Sequence, residues 1–211
     1  MPDSTPAPDS DFELLQAWRE GDVQSGEDLF ARHFEGLCRF FRNKVSDGVD
    51  DLIQRTFLLL VERRDQFEGR SSFRTYLFVV ARNELYRELS TRRRAADKLD
   101  PLEVSVVEIS PSPPSVMARR REERALLEAL RRIPLEHQVT LELYFWENMT
   151  AGAIGEVLEL PEGTVRTRIR RARALLAEQL ESLEAGGAPL HTTDANIDEW
   201  AKSVKKVVES S

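Results

Sequence analysis

Between residues 11 and 95 the apolar side chains recur at helical spacing, and nothing in that stretch alternates as a strand would. Ser10 and Glu13 form an S-x-x-E capping box for a short helix carrying Phe12, Leu15 and Trp18, which Gly21 ends. A second helix over 25–45 sets Phe30, Phe34, Leu37, Phe41 and Val45 on one stripe and is broken by Asp47-Gly48. A third, over 50–67, turns Ile53, Phe57, Leu60 and Val61 inward. After the Gly69-Arg70-Ser71-Ser72 loop, whose serines can cap, a fourth over 73–93 does the same with Leu77, Val80, Ala81 and Leu85.

Residues 96–118 lose this pattern. Pro101, Pro111, Pro113 and Pro114 forbid a continuous helix, and the weak alternation of LEVSVVEIS has no partner strand, so the segment reads as a linker. Fully extended it reaches about 70–80 Å at ~3.3–3.6 Å per residue. A second helical block follows over 119–185. Leu126, Leu127, Leu130 and Ile133 mark its first helix; Pro134 opens the next, with Val139, Leu143 and Trp146 inward. Thr150 caps a short helix bearing Ile154, Val157 and Leu158, and after a turn at 160–163 a longer one carries Val165, Ile169, Ala172 and Leu176. In the tail, 186–211, Ile197, Trp200, Ala201, Val204 and Val208 share one face of a further helix, which docks on either domain, the favoured reading, or binds a regulator, or has no role. The expected fold is all-α: two small helical domains, 11–95 and 119–185, joined by a proline-containing linker, with a C-terminal amphipathic helix and a disordered lead-in at 1–10.

Composition narrows the classes. The chain has 211 residues, 41% hydrophobic and 32% charged, a soluble globular balance without an apolar run of membrane-spanning length. The acidic, Pro/Ser-rich start lacks the basic and apolar regions of a signal peptide, and a cytoplasmic protein without membrane insertion is expected. One cysteine, Cys38, excludes an intrachain disulfide and a Cys-based zinc site, and reads as a small buried residue. The three histidines stand far apart, with no H-E-x-x-H, phosphate-binding loop or Ser/His/Asp grouping. His33 near an apolar face reads as packed. No catalytic residue, metal or cofactor is expected.

A formal net charge of −7 disfavours nucleic acid if the charge is evenly spread, but it is not. Arg166, Arg168, Arg170, Arg171 and Arg173 put five cations in eight residues with no acid among them. Arg82, Arg87, Arg92, Arg93 and Arg94 form a second cluster. The acids gather at 3–28 and at Glu136, Glu142, Glu147, Glu156 and Glu159. A solvated helix face normally interleaves acids; this one follows a short helix and a tight turn, so helix-turn-helix DNA binding is the better reading.

Two motifs then coincide. LPEGTVRTRIRRARALL resembles the second DNA-binding helix of extracytoplasmic-function (ECF) sigma factors, the specificity subunits of bacterial RNA polymerase. DDLIQRTFLLLVERRDQFEGRSSFRTYLFVVARNELYRELSTRRR resembles region 2 of the same family, its promoter-melting domain. The resemblance covers roughly 11–95 and 119–184 and implies core RNA polymerase and promoter DNA as partners, with an anti-sigma protein as a further possible one. It implies that Asp50, Asp51, Leu52, Gln54 and Arg55 grip the clamp of the polymerase's largest subunit, although Leu52 and Ile53 also read as core. It implies that the 67–73 loop, with Arg70 and Ser71, captures a flipped base of the −10 element. Tyr76 would offer that element a stacking face, or else be a half-buried packing residue. Asn83 would read a base edge, and Arg87, Arg92, Arg93 and Arg94 would hold phosphates. In the second block the resemblance implies that Arg166, Thr167, Arg170, Arg171 and Arg173 contact a duplex −35 element, with Thr164 and the helix-start amides on a phosphate. Pro134 and the Tyr144-Phe145-Trp146 run would lie near the polymerase flap, or the aromatics are simply core. Arg55 stands where the family usually has an acid, and Glu159 where the turn commonly has glycine.

Magnitudes require a larger partner. Opening some ten base pairs costs on the order of 14 kcal/mol, while each stacked base returns roughly 1–3 kcal/mol, so this chain alone holds no bubble open. The rival function is a conventional helix-turn-helix regulator with an N-terminal sensing or dimerisation domain.

Overall fold

The computed structural model describes residues 10–45, 47–96 and 117–185. Among them every regular element is helical: α1 (Ser10–Arg19), α2 (Val23–Arg42), α3 (Val49–Glu62), a 3-10 turn (Arg64–Gln66), α4 (Phe73–Ala96), α5 (Met117–Arg132), α6 (Leu135–Phe145), α7 (Ala151–Leu158) and α8 (Glu162–Ala185). No helix among the described residues is long and apolar enough to cross a membrane. The expected tail helix, the lead-in before Ser10 and most of the linker fall outside the described residues.

Local chemistry sets the helix starts. Asp22 accepts from the Gln24 amide at 3.1 Å to cap α2, so that helix begins two residues before its apolar stripe predicts. The Ser72 hydroxyl accepts from the Thr75 amide at 3.1 Å at the start of α4, and Thr150 accepts from the Ala153 amide at 3.2 Å at the start of α7. α3 stops at Glu62 rather than 67 because the chain tightens into the 3-10 turn.

α1 to α4 form one bundle, with Leu15, Leu29, Leu37, Phe41, Leu52, Leu60, Leu77, Phe78 and Leu85 almost fully buried. A buried leucine of this kind is worth about 2–5 kcal/mol against alanine. Trp18 packs so closely on α2 that a Cβ at Gly26 would lie 2.7 Å from its indole, which makes glycine obligatory there. The inward stripe of α4 is as the pattern predicts. Phe12, Phe34 and Val61 are not: each is more than a third exposed, because α1, α2 and α3 carry apolar residues beyond the edge of the core.

In the second block α5, α6 and α8 enclose Leu126, Leu130, Leu141, Phe145, Trp146, Leu176 and Leu180, so Phe145 and Trp146 of the aromatic run are core. α6 is apolar on its opposite side as well, and there Val139 and Leu143 join Ile154, Val157 and Val165 in the cluster that continues into the first bundle. The two blocks touch directly, α7 lying along α4.

Candidate nucleic-acid interface

α7, its turn and α8 make the helix-turn-helix. Glu159 ends α7 at φ 57°, ψ 45°, in the left-handed region where a side chain is strained, so the positive φ that the motif needs is present without the usual glycine. Gly155 makes room for the turn: a Cβ there would lie 2.6 Å from the Leu160 carbonyl, and the Leu160 amide donates to the Gly155 carbonyl at 2.8 Å. Val165 and Ala172 are fully buried and fix α8 against the block, leaving Thr164, Arg166, Thr167, Arg170 and Arg171 exposed.

Four details depart from an acid-free, fully exposed arginine face. Arg166 does have an acid at helical spacing: Glu162, one turn earlier, takes its guanidinium at 2.6 and 3.0 Å. The Thr164 amide already donates to the Pro161 carbonyl at 2.9 Å, and so does the Val165 amide at 3.1 Å, so neither is offered to a phosphate. Arg173 is only partly exposed, its guanidinium lying 5.6 Å from the centre of the Phe145 ring. Arg168 turns away to Glu136 at 3.4 Å.

On α4 the spacing of Tyr76, Asn83, Arg87 and Arg94 places them on one face. Tyr76 is half-buried, its ring stacked on Phe67 with centroids 4.9 Å apart, so it packs within the bundle and keeps part of its surface exposed. Asn83, Arg87, Arg93 and Arg94 are exposed. Arg92 is not a free phosphate holder, since it pairs with Glu88 at 2.9 Å and Asp47 at 2.5 Å. Hydrogen bonds from Arg92 and then Arg55 hold the Glu88 carboxyl below its ordinary range. In the 67–73 loop Arg70 pairs with Glu68, and the Ser71 hydroxyl lies 3.5 Å from the Ser72 carbonyl. Arg19, which sequence reasoning missed, anchors the loop from α1 by donating to the Arg64 carbonyl at 2.9 Å and the Phe67 carbonyl at 2.5 Å.

On α3 Asp50, Asp51 and Gln54 are exposed. Leu52 is not: it is fully buried and has no surface to give a partner, which corrects its place in the polymerase-binding set. Arg55 is turned toward α4, pairing with Glu88 at 2.7 Å and Glu84 at 3.7 Å. Beside Asp50 and Gln54 opens an apolar groove of about 490 Å³ lined by Phe30, Phe34, Ile53, Phe57, Leu58 and Val61.

With this geometry the comparisons agree. The family model described as sigma-70 region 2 matches residues 29–95, and that described as sigma-70 region 4 matches 123–176, together more than half of the chain. The chain is similar to the RNA polymerase sigma factor CarQ of Myxococcus xanthus, 29% identical over 81% of this chain and 97% of that protein. It is also similar to the ECF RNA polymerase sigma-E factor of Haemophilus influenzae, 24% identical over 82% of this chain and 97% of that one. The chain belongs to the ECF sigma factors. Its fold is that of the Bartonella quintana sigma factor RpoE, solved with the anti-sigma factor NepR, at a TM-score of 0.63, 23% identity, 74% of this chain and 96% of that one. CnrH, solved in complex with the cytosolic domain of CnrY, gives a TM-score of 0.61, with 24% identity, 82% of this chain and 99% of that one.

As a sigma factor the protein directs RNA polymerase to promoters, and a stand-alone regulator is not favoured, because the block assigned to sensing in that scheme itself matches region 2. Two features of this sigma factor had no local signal in the sequence. One is the apolar groove, formed where the stripes of α2 and α3 overrun the core. The other is the set of acids in α6, just after it and at the end of α7 that meets polar groups of the first bundle: Glu142 with Lys44 and Asn43, Glu147 with Arg39 and Arg74, and Glu159 with Arg82.

Proposed function

We propose that this sigma factor divides promoter reading between its two blocks while polymerase holds both, in the cytoplasm and without catalysing bond chemistry itself. Asp50, Asp51 and Gln54, with the apolar groove beside them, meet the polymerase clamp; an exposed apolar patch rimmed by polar groups is the usual form of a protein contact. The Arg19-anchored loop with Arg70 and Ser71 takes one unpaired base of the −10 element, the Tyr76 edge offers it a stacking surface, and Asn83, Arg87, Arg93 and Arg94 follow the strand. This capture nucleates melting, and the polymerase supplies the rest. Arg166, Thr167, Arg170 and Arg171 enter the major groove of the −35 element, with Arg173 at the groove edge and Thr164 at the helix start. An anti-sigma protein is a further partner of this reading, by analogy with RpoE–NepR.

The observation that carries it is the exposed arginine face of α8 directly after a left-handed turn residue, in a chain whose other bundle matches region 2. Run-off transcription with purified core polymerase and a promoter library tests it. Promoter-dependent transcripts that require this chain are expected; no transcript, with no affinity for core, overturns it.

A further inference from the structure

The loop over 67–73 lies between two aromatic side chains, Tyr76 on α4 and Phe12 on α1. On the α4 side Phe67 stacks on Tyr76 at 4.9 Å. On the other side the Phe12 ring meets the Gly69 backbone, where a Cβ would lie 3.4 Å from the ring edge. Gly69 sits at φ 71°, a conformation that favours glycine, so no side chain comes between ring and loop at that point. Phe12 and Arg19 are seven residues apart in α1, two helical turns, and therefore share one face. That face holds the segment at three places: the Arg64 carbonyl, the Phe67 carbonyl and the Gly69 backbone.

Packing accounts for only part of Phe12. The ring is 46% exposed and stands outside the apolar groove that faces the polymerase clamp. An aromatic face left open beside the path of a single strand stacks bases of any identity. The charges around it favour a base over the sugar-phosphate backbone. Asp11 is taken by Arg32 at 2.6 Å and His33 at 2.7 Å, and Glu68 by Arg70. Glu13, the residue after Phe12, is exposed and repels phosphate, whereas the plane of a base carries no charge. Arg87, Arg93 and Arg94 lie in the C-terminal half of α4. A strand that runs from them past Tyr76 into the loop emerges at Phe12.

We propose that Phe12 is a stacking platform for a second unpaired base, the one immediately downstream of the base the loop captures. This rests on the promoter-reading function above.

Holoenzyme assembled from the full chain and purified core polymerase tests it. The probe is the single-stranded non-template −10 oligonucleotide of a promoter recovered from the library. Phe12→Ala should weaken binding roughly five- to thirtyfold, the lower part of the range for one stacked base. The salt dependence should not change, because no phosphate contact is lost. Phe12→Trp should bind as wild type. Phe12→Leu keeps an apolar contact on Gly69 without a ring, and should lose as much as Phe12→Ala. An abasic nucleotide moved along the probe then locates the partner: at one position wild type and Phe12→Ala should bind equally. That position should lie next to the captured one, which the same scan on Ser71→Ala marks. Leucine that binds like the wild type, or an alanine loss that persists at every abasic position, overturns the platform and leaves Phe12 a prop for Gly69. A loss that vanishes only at the captured position overturns it too, since the loop itself is then distorted. Wild-type binding with all three variants equal removes the platform alone, whereas a wild-type holoenzyme that ignores the strand removes the promoter reading and the platform with it.

Discussion

Glu159 accepts the Arg82 guanidinium at 2.9 Å while its own backbone sits at φ 57°, so one residue both strains the recognition turn and ties it to α4. Glycine at this position would relieve the strain but lose the bond. The ion pair is largely exposed on the Glu159 side and contributes no more than about 1 kcal/mol, against a strain of about 1–2 kcal/mol that glycine partly recovers. Glu159→Gly should therefore leave the unfolding free energy within about 1 kcal/mol of wild type, whereas Glu159→Val, β-branched and poorly suited to positive φ, should cost about 2 kcal/mol. Urea denaturation of the three proteins distinguishes them; equal losses in both variants would contradict the left-handed turn.

Acid should loosen the contact between the blocks. Burial raises the Glu147 carboxyl, but the charge of Arg39, then that of Arg74 and their hydrogen bonds, outweighs it and holds the group below the ordinary 4.5. A carboxylate lowered in this way binds fewer protons folded than unfolded, so its contribution is complete above the unfolded value and is lost as pH falls through the folded one. Asp11 behaves alike: burial opposes ionisation, but His33 and Arg32 together bring it below 3.8. Melting temperature should hold steady from pH 7 to about 5 and fall below the ordinary glutamate range. Glu147→Gln should lose on the order of 3 kcal/mol at neutral pH by leaving Arg39 buried without its carboxylate, and should show a shallower acid slope. A variant with the wild-type slope would show that Glu147 does not titrate with the fold.

How far the sequence reached depends on whether the deciding contacts are local. The stripe Leu77, Val80, Ala81 and Leu85 was legible because one period places all four on the buried side of α4. Thr150 and Pro134 were legible as helix starts for the same reason. Phe34 and Val61 lie on equally regular stripes, yet remain exposed, because periodicity gives a face and not the extent of what covers it. Leu52 was assigned to a partner surface by motif, but the α-helical turn points it inward. Glu142 and Glu147 were read as acids kept away from the arginines; their partners Lys44 and Arg39 lie about a hundred residues earlier, a separation no local pattern encodes. The Glu162–Arg166 pair is not visible within the run of arginines, which begins four residues after the acid.

Within α8 the arginines should not be equivalent. Arg170 is exposed, whereas Arg166 is shared with Glu162 before DNA arrives. Arg170→Ala should weaken −35 duplex binding by about 1–3 kcal/mol if it reads a base and should lower the salt dependence by about one ion. Arg166→Ala should cost less, because the Glu162 pair is given up on binding, and Glu162→Ala should strengthen binding by freeing Arg166. Fluorescence anisotropy on a salt series, with the sigma factor bound to core polymerase, measures all three. Weaker binding by Glu162→Ala would mean that the acid orients Arg166 rather than competing for it.

Promoter reading also sets a minimum length for the connection between blocks. α4 runs to Ala96 and α5 begins at Met117, so the chain between them is 97–116, with a contour of roughly 65–70 Å at ~3.3–3.6 Å per residue. That is just enough for the roughly 50–70 Å between the two elements. Removing about ten residues from 100–114 halves the contour to about 35 Å. The two blocks are held to each other by contacts between α4 and α7 as well as by this segment. The deletion should therefore leave the fold and the melting temperature unchanged while abolishing run-off transcription from promoters with normally spaced elements. Shortening the spacer of a test promoter should not restore activity, because polymerase fixes the distance between the two binding sites. Wild-type transcription from the shortened chain would show that the blocks need not span that distance.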